Sequence, residues 1–213
     1  MQEYLIETSF LDYNNQAYNQ FLLDVPASFS KKELAVFLYK KVRERFLYDP
    51  YHLDLRHAAL KSSHILTKKR AWCVEKAIVL AAVARKFEIP SRLGYAIVVN
   101  HIGVEKLTNY LKREEIVFHG YVELYMENKW VKCTPSFDSR ICKISNVSVL
   151  EWDGETDSLF QPFQGEVRFM EYLKDYGTFS DVPIELMNAE MKKYYPHLFE
   201  SAYNFKDFSF HHL

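Results

Sequence analysis

Arg70-Ala71-Trp72-Cys73-Val74-Glu75-Lys76-Ala77-Ile78-Val79-Leu80-Ala81-Ala82-Val83-Ala84 is the stretch on which the fold turns. From Ala77 to Ala84 there is no polar residue, no Gly and no Pro, and four of the eight residues are Ala, the best helix former. A helix that is apolar on every side is a buried one. Glu75 near its head and Arg85 and Lys86 at its foot suit the helix dipole. The pattern predicts a core helix with Cys73 at its mouth. There the partial positive charge of the N-terminus favours thiolate over thiol, and Lys69 and Arg70 just upstream add to that field. A catalytic cysteine needs this environment and a packing cysteine does not. Free Cys is also among the most buried residue types, so position alone leaves both roles open.

Composition bounds what carries this helix. The chain has 213 residues, 48% of them hydrophobic, with 15 Tyr and 16 Phe, which is enough for a single well-packed domain. The expected organisation is one domain over 1–213, with a helical N-terminal part at 1–68, a core at about 69–140 and a C-terminal extension at 141–213. The net charge of −1 offers no basic stripe, so no nucleic-acid partner is expected. No run of about 18 apolar residues occurs, so no membrane span is expected. Met1-Gln2-Glu3-Tyr4 lacks a basic n-region and an apolar h-region, unlike a signal peptide. The three cysteines, Cys73, Cys133 and Cys142, form no CxxC pair. They fit a reducing, cytoplasmic setting better than a disulfide framework or a zinc site. No cofactor is implied. His57 and His64 are ungrouped, and His211-His212 ends an aromatic tail that reads as a docked or frayed terminus.

Working outward from the core helix, Ser30-Lys31-Lys32-Glu33 is a capping-box signature. It opens a helix with Leu34, Phe37, Leu38, Val42 and Phe46 on its core stripe. Before it, Tyr4 to Phe10 reads as a short strand or an extended lead-in, and Ala17, Tyr18, Phe21, Leu22 and Val25 as a short helix. Asp54 to Leu66 reads as a less regular helical stretch. After the core helix, Ser91 to Val99 reads as a strand, and Asn100 to Glu115 as a polar loop or weak helix. Ile116 to Tyr125 and Trp130 to Cys133 form a hairpin around Met126-Glu127-Asn128-Lys129. Val147 to Trp152 and Val167 to Leu173 are further predicted strands. Pro183 sits near the first turn of a last helix that places Ile184, Met187, Met191 and Tyr194 on one face.

Thiol chemistry requires a base. His119 stands within a predicted strand, where alternation puts Val117, His119 and Tyr121 on one face and Phe118, Val122 and Leu124 largely on the other. Gly120 beside it leaves room for a close backbone or ligand approach. A base on a strand and a nucleophile at a helix tip can be held in fixed geometry. The plainer alternative is a half-buried strand histidine with a backbone partner. His101, at the end of the preceding strand, is the rival base. A metal site built from His119, His101 and a cysteine lacks ligand spacing.

Together these blocks resemble the transglutaminase-like superfamily. The residues that carry the likeness are Cys73 at a helix head, Ile89-Pro90-Ser91-Arg92-Leu93-Gly94-Tyr95, His119-Gly120-Tyr121-Val122-Glu123-Leu124-Tyr125 and Trp130-Val131-Lys132-Cys133-Thr134-Pro135. Their order and mutual spacing, from roughly Phe46 to Phe137, make the likeness more specific than any one block. Trp152-Asp153-Gly154, Asp157-Ser158-Leu159-Phe160 and Met170-Glu171-Tyr172 look like an uncharacterised bacterial branch of it. The resemblance implies a papain-like α+β fold, with a central buried helix carrying Cys packed on an antiparallel sheet carrying His. It also implies Cys73 as nucleophile and His119 as general base.

One departure stands out. The superfamily usually has Asp after the Trp of the second hairpin strand, and here that place is Thr134. A hydroxyl can accept a hydrogen bond from the imidazole but brings no negative charge. In serine triads loss of that charge costs on the order of 10⁴ in kcat. In papain-like sites a thiolate–imidazolium pair already exists at rest and a neutral third residue suffices. Asp138 is an alternative third member and Asp157 a more distant one; either can instead be a turn or cap residue. Trp72, Asn100, His101 and Tyr121 are expected around the substrate, Trp72 as an indole donor or a wall. The implied substrate is a peptide, protein or small amide, attacked by Cys73 to give a thioester that water or an amine resolves. No acidic cluster has calcium-loop spacing, so no metal is expected. A scaffold protein with a weakened site is the competing expectation.

Overall fold

The computed structural model describes residues 1–100, 105–159, 170–200 and 207–212. In chain order the first part contains α1 (Ala17–Phe21), α2 (Lys31–Arg45), β1 (Leu47–Tyr48), β2 (His52–Asp54), α3 (Ser62–Leu66) and β3 (Arg70–Ala71). Next come α4 (Cys73–Lys86), β4 (Ser91–Asn100), α5 (Glu105–Leu111), β5 (Glu115–Met126) and β6 (Lys129–Cys133). The last part contains α6 (Ser139–Ile144), β7 (Met170–Phe179), α7 (Ile184–Tyr194) and β8 (Ser209–His211). Among the described residues no helix is long and apolar enough to cross a membrane.

The architecture is α+β. β6, β5, β4 and β7 lie in that order in a fully antiparallel sheet. α4 packs on it through β5, with α2 and α3 against its other sides. The all-apolar middle of α4 leaves it no solvent face, and every residue from Cys73 to Arg85 is buried. That includes the charged residues near its ends. Arg85 donates to the carbonyls of Ile6, Ser91 and Ser180, and burial pulls its pKa down to about 10. Lys76 donates to the carbonyl of Arg43 at 3.0 Å, and burial lowers its pKa to about 7. Ser30 and Glu33 form the expected capping box of α2.

Several expected elements differ. Tyr4–Phe10 is not a strand: a 3₁₀ turn covers Gln2–Tyr4 and the rest is irregular. Side chains take some of its carbonyls, Arg85 that of Ile6 and Tyr13 that of Leu5, and the Ser62 amide takes that of Phe10, so no ladder forms. Val147–Trp152 is not a strand either. The carbonyl of Leu150 is taken by the Tyr39 hydroxyl at 2.8 Å and by Arg43 at 2.6 Å, so side chains of α2 replace a ladder. Of Asp54–Leu66 only α3 is an α-helix, and Asp54 ends β2, which pairs in parallel with β8. The tail therefore docks. The predicted strand beginning at Val167 is described from Met170 and runs on to Phe179; positions 167–169 lie outside the described residues.

Candidate active site

The N-terminus of α4 meets β5 backbone to backbone. A Cβ on Gly120 would stand 3.0 Å from Val74 Cα and 3.3 Å from the Cys73 carbonyl oxygen. Only a residue without a side chain allows this approach, and it sets the strand beside the helix head. The Gly120 amide, with those of Val74 and Cys73 itself, lies close enough to the Cys73 sulfur to favour the thiolate.

A bulge aims the neighbouring residue. His119 pairs with Ala96 and Ile116 with Val98, so two residues of β5 oppose one of β4. Phe118, inside the bulge, takes φ 61°. Bulges break the two-residue alternation and re-aim side chains. Val117 and Phe118 thus both join the main core beside α4, contrary to the simple alternation expected from sequence. Tyr121 remains on the opposite face, where its ring covers Gly94: a Cβ there would fall 2.1 Å from a ring carbon. Its hydroxyl lies 3.2 Å from the Asp175 carboxylate oxygens. It is a packing residue of the sheet and does not line the cleft beside Cys73.

Burial governs the electrostatics. Cys73 is 2% and His119 1% exposed. Desolvation drives the Cys73 thiol up to about 11, outweighing the amides that favour thiolate; Glu75 pushes the same way as burial. Desolvation alone lowers His119 to about 4. Burial therefore favours thiol and imidazole over the thiolate–imidazolium pair of papain-like sites. The upstream cations do not reverse this. Arg70 is exposed and turned toward Asp49 at 3.8 Å, and Lys68 pairs with Glu75. Glu75 is itself pushed up to about 7 by burial, and its carboxylate caps α4 by accepting from the Trp72 amide at 3.2 Å.

Among the described residues the buried Trp72 Nε1 and His119 Nε2 have no hydrogen-bond partner. Unpaired buried polar atoms are rare and need an explanation, a functional role being one. Thr134 is fixed through its backbone, donating its amide to Ser158 and accepting from the Tyr39 hydroxyl. Asp138 is spent elsewhere. It caps α6, holding the Arg140 amide and guanidinium, and it accepts from the Tyr48 amide at 2.7 Å. Asp157 accepts from the Lys132 amide. Neither acid has a hydrogen bond to His119 among the described residues. Asn100 is buried at the end of β4, opposite Met170. His101 lies outside the described residues.

Sequence reasoning missed Tyr172. Its ring meets that of His119 edge-on, centroids 6.4 Å apart at 86°. Burial raises its pKa, the Thr134 hydroxyl opposes that rise, and a charge on Cys73 would add to it. Tyr172 thus stands against His119, with the Thr134 hydroxyl beside its own. Its Met170-Glu171-Tyr172 block stands out in the sequence, but nothing local puts it beside His119, because its strand reaches His119 only through the pairing of β7 with β4.

A small cleft of about 20 Å³ opens beside Cys73, with Trp72 in its wall. Among the described residues no cluster of three His, Cys, Asp or Glu side chains is arranged to hold a metal ion.

A model of the transglutaminase-like superfamily core matches residues 25–135. No curated protein matches the chain. Among solved structures, that of a candidate cysteine protease from Cytophaga hutchinsonii is similar at a TM-score of 0.46 and 11% identity, over 62% of this chain. The likeness spans 40% of that protein's length.

Proposed function

This chain belongs to the transglutaminase-like superfamily, and from that membership we propose that it is a thiol-dependent acyl-transfer enzyme acting on an amide or related carbonyl compound, with Cys73 as nucleophile and His119 as base. The observation that carries this reading is the close seating of the strand bearing His119 on the helix head bearing Cys73, through Gly120. A merely packed cysteine does not require a backbone amide from another element at its sulfur.

Because burial favours the neutral thiol and the neutral imidazole, proton transfer accompanies attack. Sulfur bonds to the carbonyl carbon while its proton passes to His119. Negative charge on the carbonyl oxygen is met by amides at the helix head and by the unpaired indole N–H of Trp72. The imidazolium then protonates the leaving nitrogen, the C–N bond breaks and a thioester remains. Water or an amine, deprotonated by His119, attacks the thioester and Cys73 recovers its proton. Hydrolysis needs no second substrate pocket and is favoured over cross-linking.

A second reading, a binding protein that keeps the fold, draws support from Thr134 in the acid position and from the high thiol pKa. One experiment separates the two. The chain is incubated with p-nitrophenyl esters and activated amides and its intact mass is followed. A thioester adduct on Cys73, absent in Cys73→Ser and slowed in His119→Ala, supports the enzyme. No adduct with any acyl donor supports the binding protein.

A further inference from the structure

The cleft beside Cys73 offers a nucleophile and almost nothing else that is polar. Trp72, Ile116 and Val117 bound it on the side of α4 and β5, and Leu107, Leu111 and Met191 bound it from α5 and α7. None of these six carries a charge. Tyr195, also at the cleft, has its hydroxyl committed: it accepts from the Val117 amide at 2.8 Å and donates to the Glu115 carbonyl at 2.6 Å. Trp72 Nε1 remains as a buried donor without an acceptor among the described residues. One sulfur, one indole N–H, the phenol of Tyr48 and an otherwise hydrocarbon wall complement a single carbonyl group attached to an apolar body. A charged substituent entering there would lose its hydration and find no partner. Each methylene buried instead favours binding by roughly fourfold.

We propose that Cys73 accepts apolar, uncharged acyl groups, and that Leu107, Leu111 and Met191 set this preference. The inference rests on the reading of Cys73 as nucleophile, and it names the side of the substrate that the thioester would retain. The cleft's about 20 Å³ is near the room one water needs. Entry of an acyl chain therefore requires Met191 and the two leucines to change rotamer. Methionine, unbranched and with three rotatable side-chain bonds, is suited to that.

Three maleimides with one warhead and different tails test the preference without requiring turnover: N-benzylmaleimide, 3-maleimidopropionic acid and N-(2-aminoethyl)maleimide. Rates at Cys73, read by peptide mapping of the full chain, are divided by those of the same reagents with N-acetylcysteine. The expected result is at least tenfold faster normalised labelling by the benzyl reagent than by either charged one. Leu107→Ala, which only removes hydrocarbon, should speed the benzyl reagent and keep that order. Met191→Glu should abolish or reverse it toward the aminoethyl reagent. Equal normalised rates for the three reagents, or a charged reagent leading in the unmodified chain, would overturn the proposal. Benzyl preference without any thioester from acyl donors would reject catalysis while leaving the cleft assignment standing. Thioester formation with equal rates for all three tails would do the opposite.

Discussion

Gly120→Ala probes the contact from which the site is built. The new Cβ would stand 3.0 Å from Val74 Cα and 3.3 Å from both the Val74 nitrogen and the Cys73 carbonyl oxygen. All three are backbone atoms of the first turn of α4, so no side chain can swing aside, and helix and strand must part by a few tenths of an ångström. Overpacking of a well-filled interior costs about 1–3 kcal/mol. The reduced freedom of the unfolded chain returns about 0.4–1 kcal/mol. The net expectation is a loss of about 1–2 kcal/mol, or, for a chain of this size, about 2–4 °C in Tm for each kcal/mol. The same displacement withdraws the Gly120 amide from the Cys73 sulfur, so a thiol already raised to about 11 by burial should titrate higher still. Urea unfolding gives the first quantity, and iodoacetamide labelling of Cys73 across pH gives the second. A variant as stable as the parent, with unchanged Cys73 labelling, would refute the close seating of β5 on α4.

Three further outcomes are expected. Burial holds His119 neutral, with its pKa lowered from 6.5 to about 4; the stability this contributes is present above 6.5 and lost as pH falls through 4. Unfolding free energies of the parent relative to His119→Gln should therefore decline by up to about 1.4 kcal/mol per pH unit between those values, and parallel curves would count against a buried neutral ring. Thr134→Asp supplies the missing charge and should raise the His119 pKa in an NMR titration while accelerating acylation of Cys73; an unmoved imidazole titration would place residue 134 out of reach. Trp72→Phe keeps most of the packing and removes an unpaired donor, so it should leave stability intact and slow acylation on the order of 10²; equal acylation rates would make Trp72 a wall only.

Local signals were legible where one element decides its own fate. The apolar run after Cys73 became α4, the Ser30–Glu33 box became the start of α2, and Met126–Lys129 became the turn of the β5–β6 hairpin. What escaped depends on pairing between distant parts. The bulge at Phe118 follows from the register between β4 and β5, and Tyr172 reaches His119 only because β7 pairs with β4. The Val147–Trp152 stretch has the composition of a strand, yet Tyr39 and Arg43 of α2 claim its carbonyl at Leu150. Charge states were the least legible. The helix head and nearby cations predicted a low Cys73 pKa, but full burial weighs more than three amide contacts and moves it the other way. Asp138, two residues from Ser136 and near the hairpin end, looked available to His119, and it is consumed by capping α6 and holding Tyr48.

The central claim is that Cys73 and His119 act together. Its most direct test is the rate of Cys73 alkylation by iodoacetamide from pH 6 to 10, in the parent and in His119→Ala, with Cys133 and Cys142 read from the same peptide maps. A working pair predicts that Cys73 outpaces the other two buried cysteines near neutral pH without a low-pH plateau, and that His119→Ala slows it at least tenfold there. A Cys73 rate equal to that of Cys133 and indifferent to His119 would contradict the account.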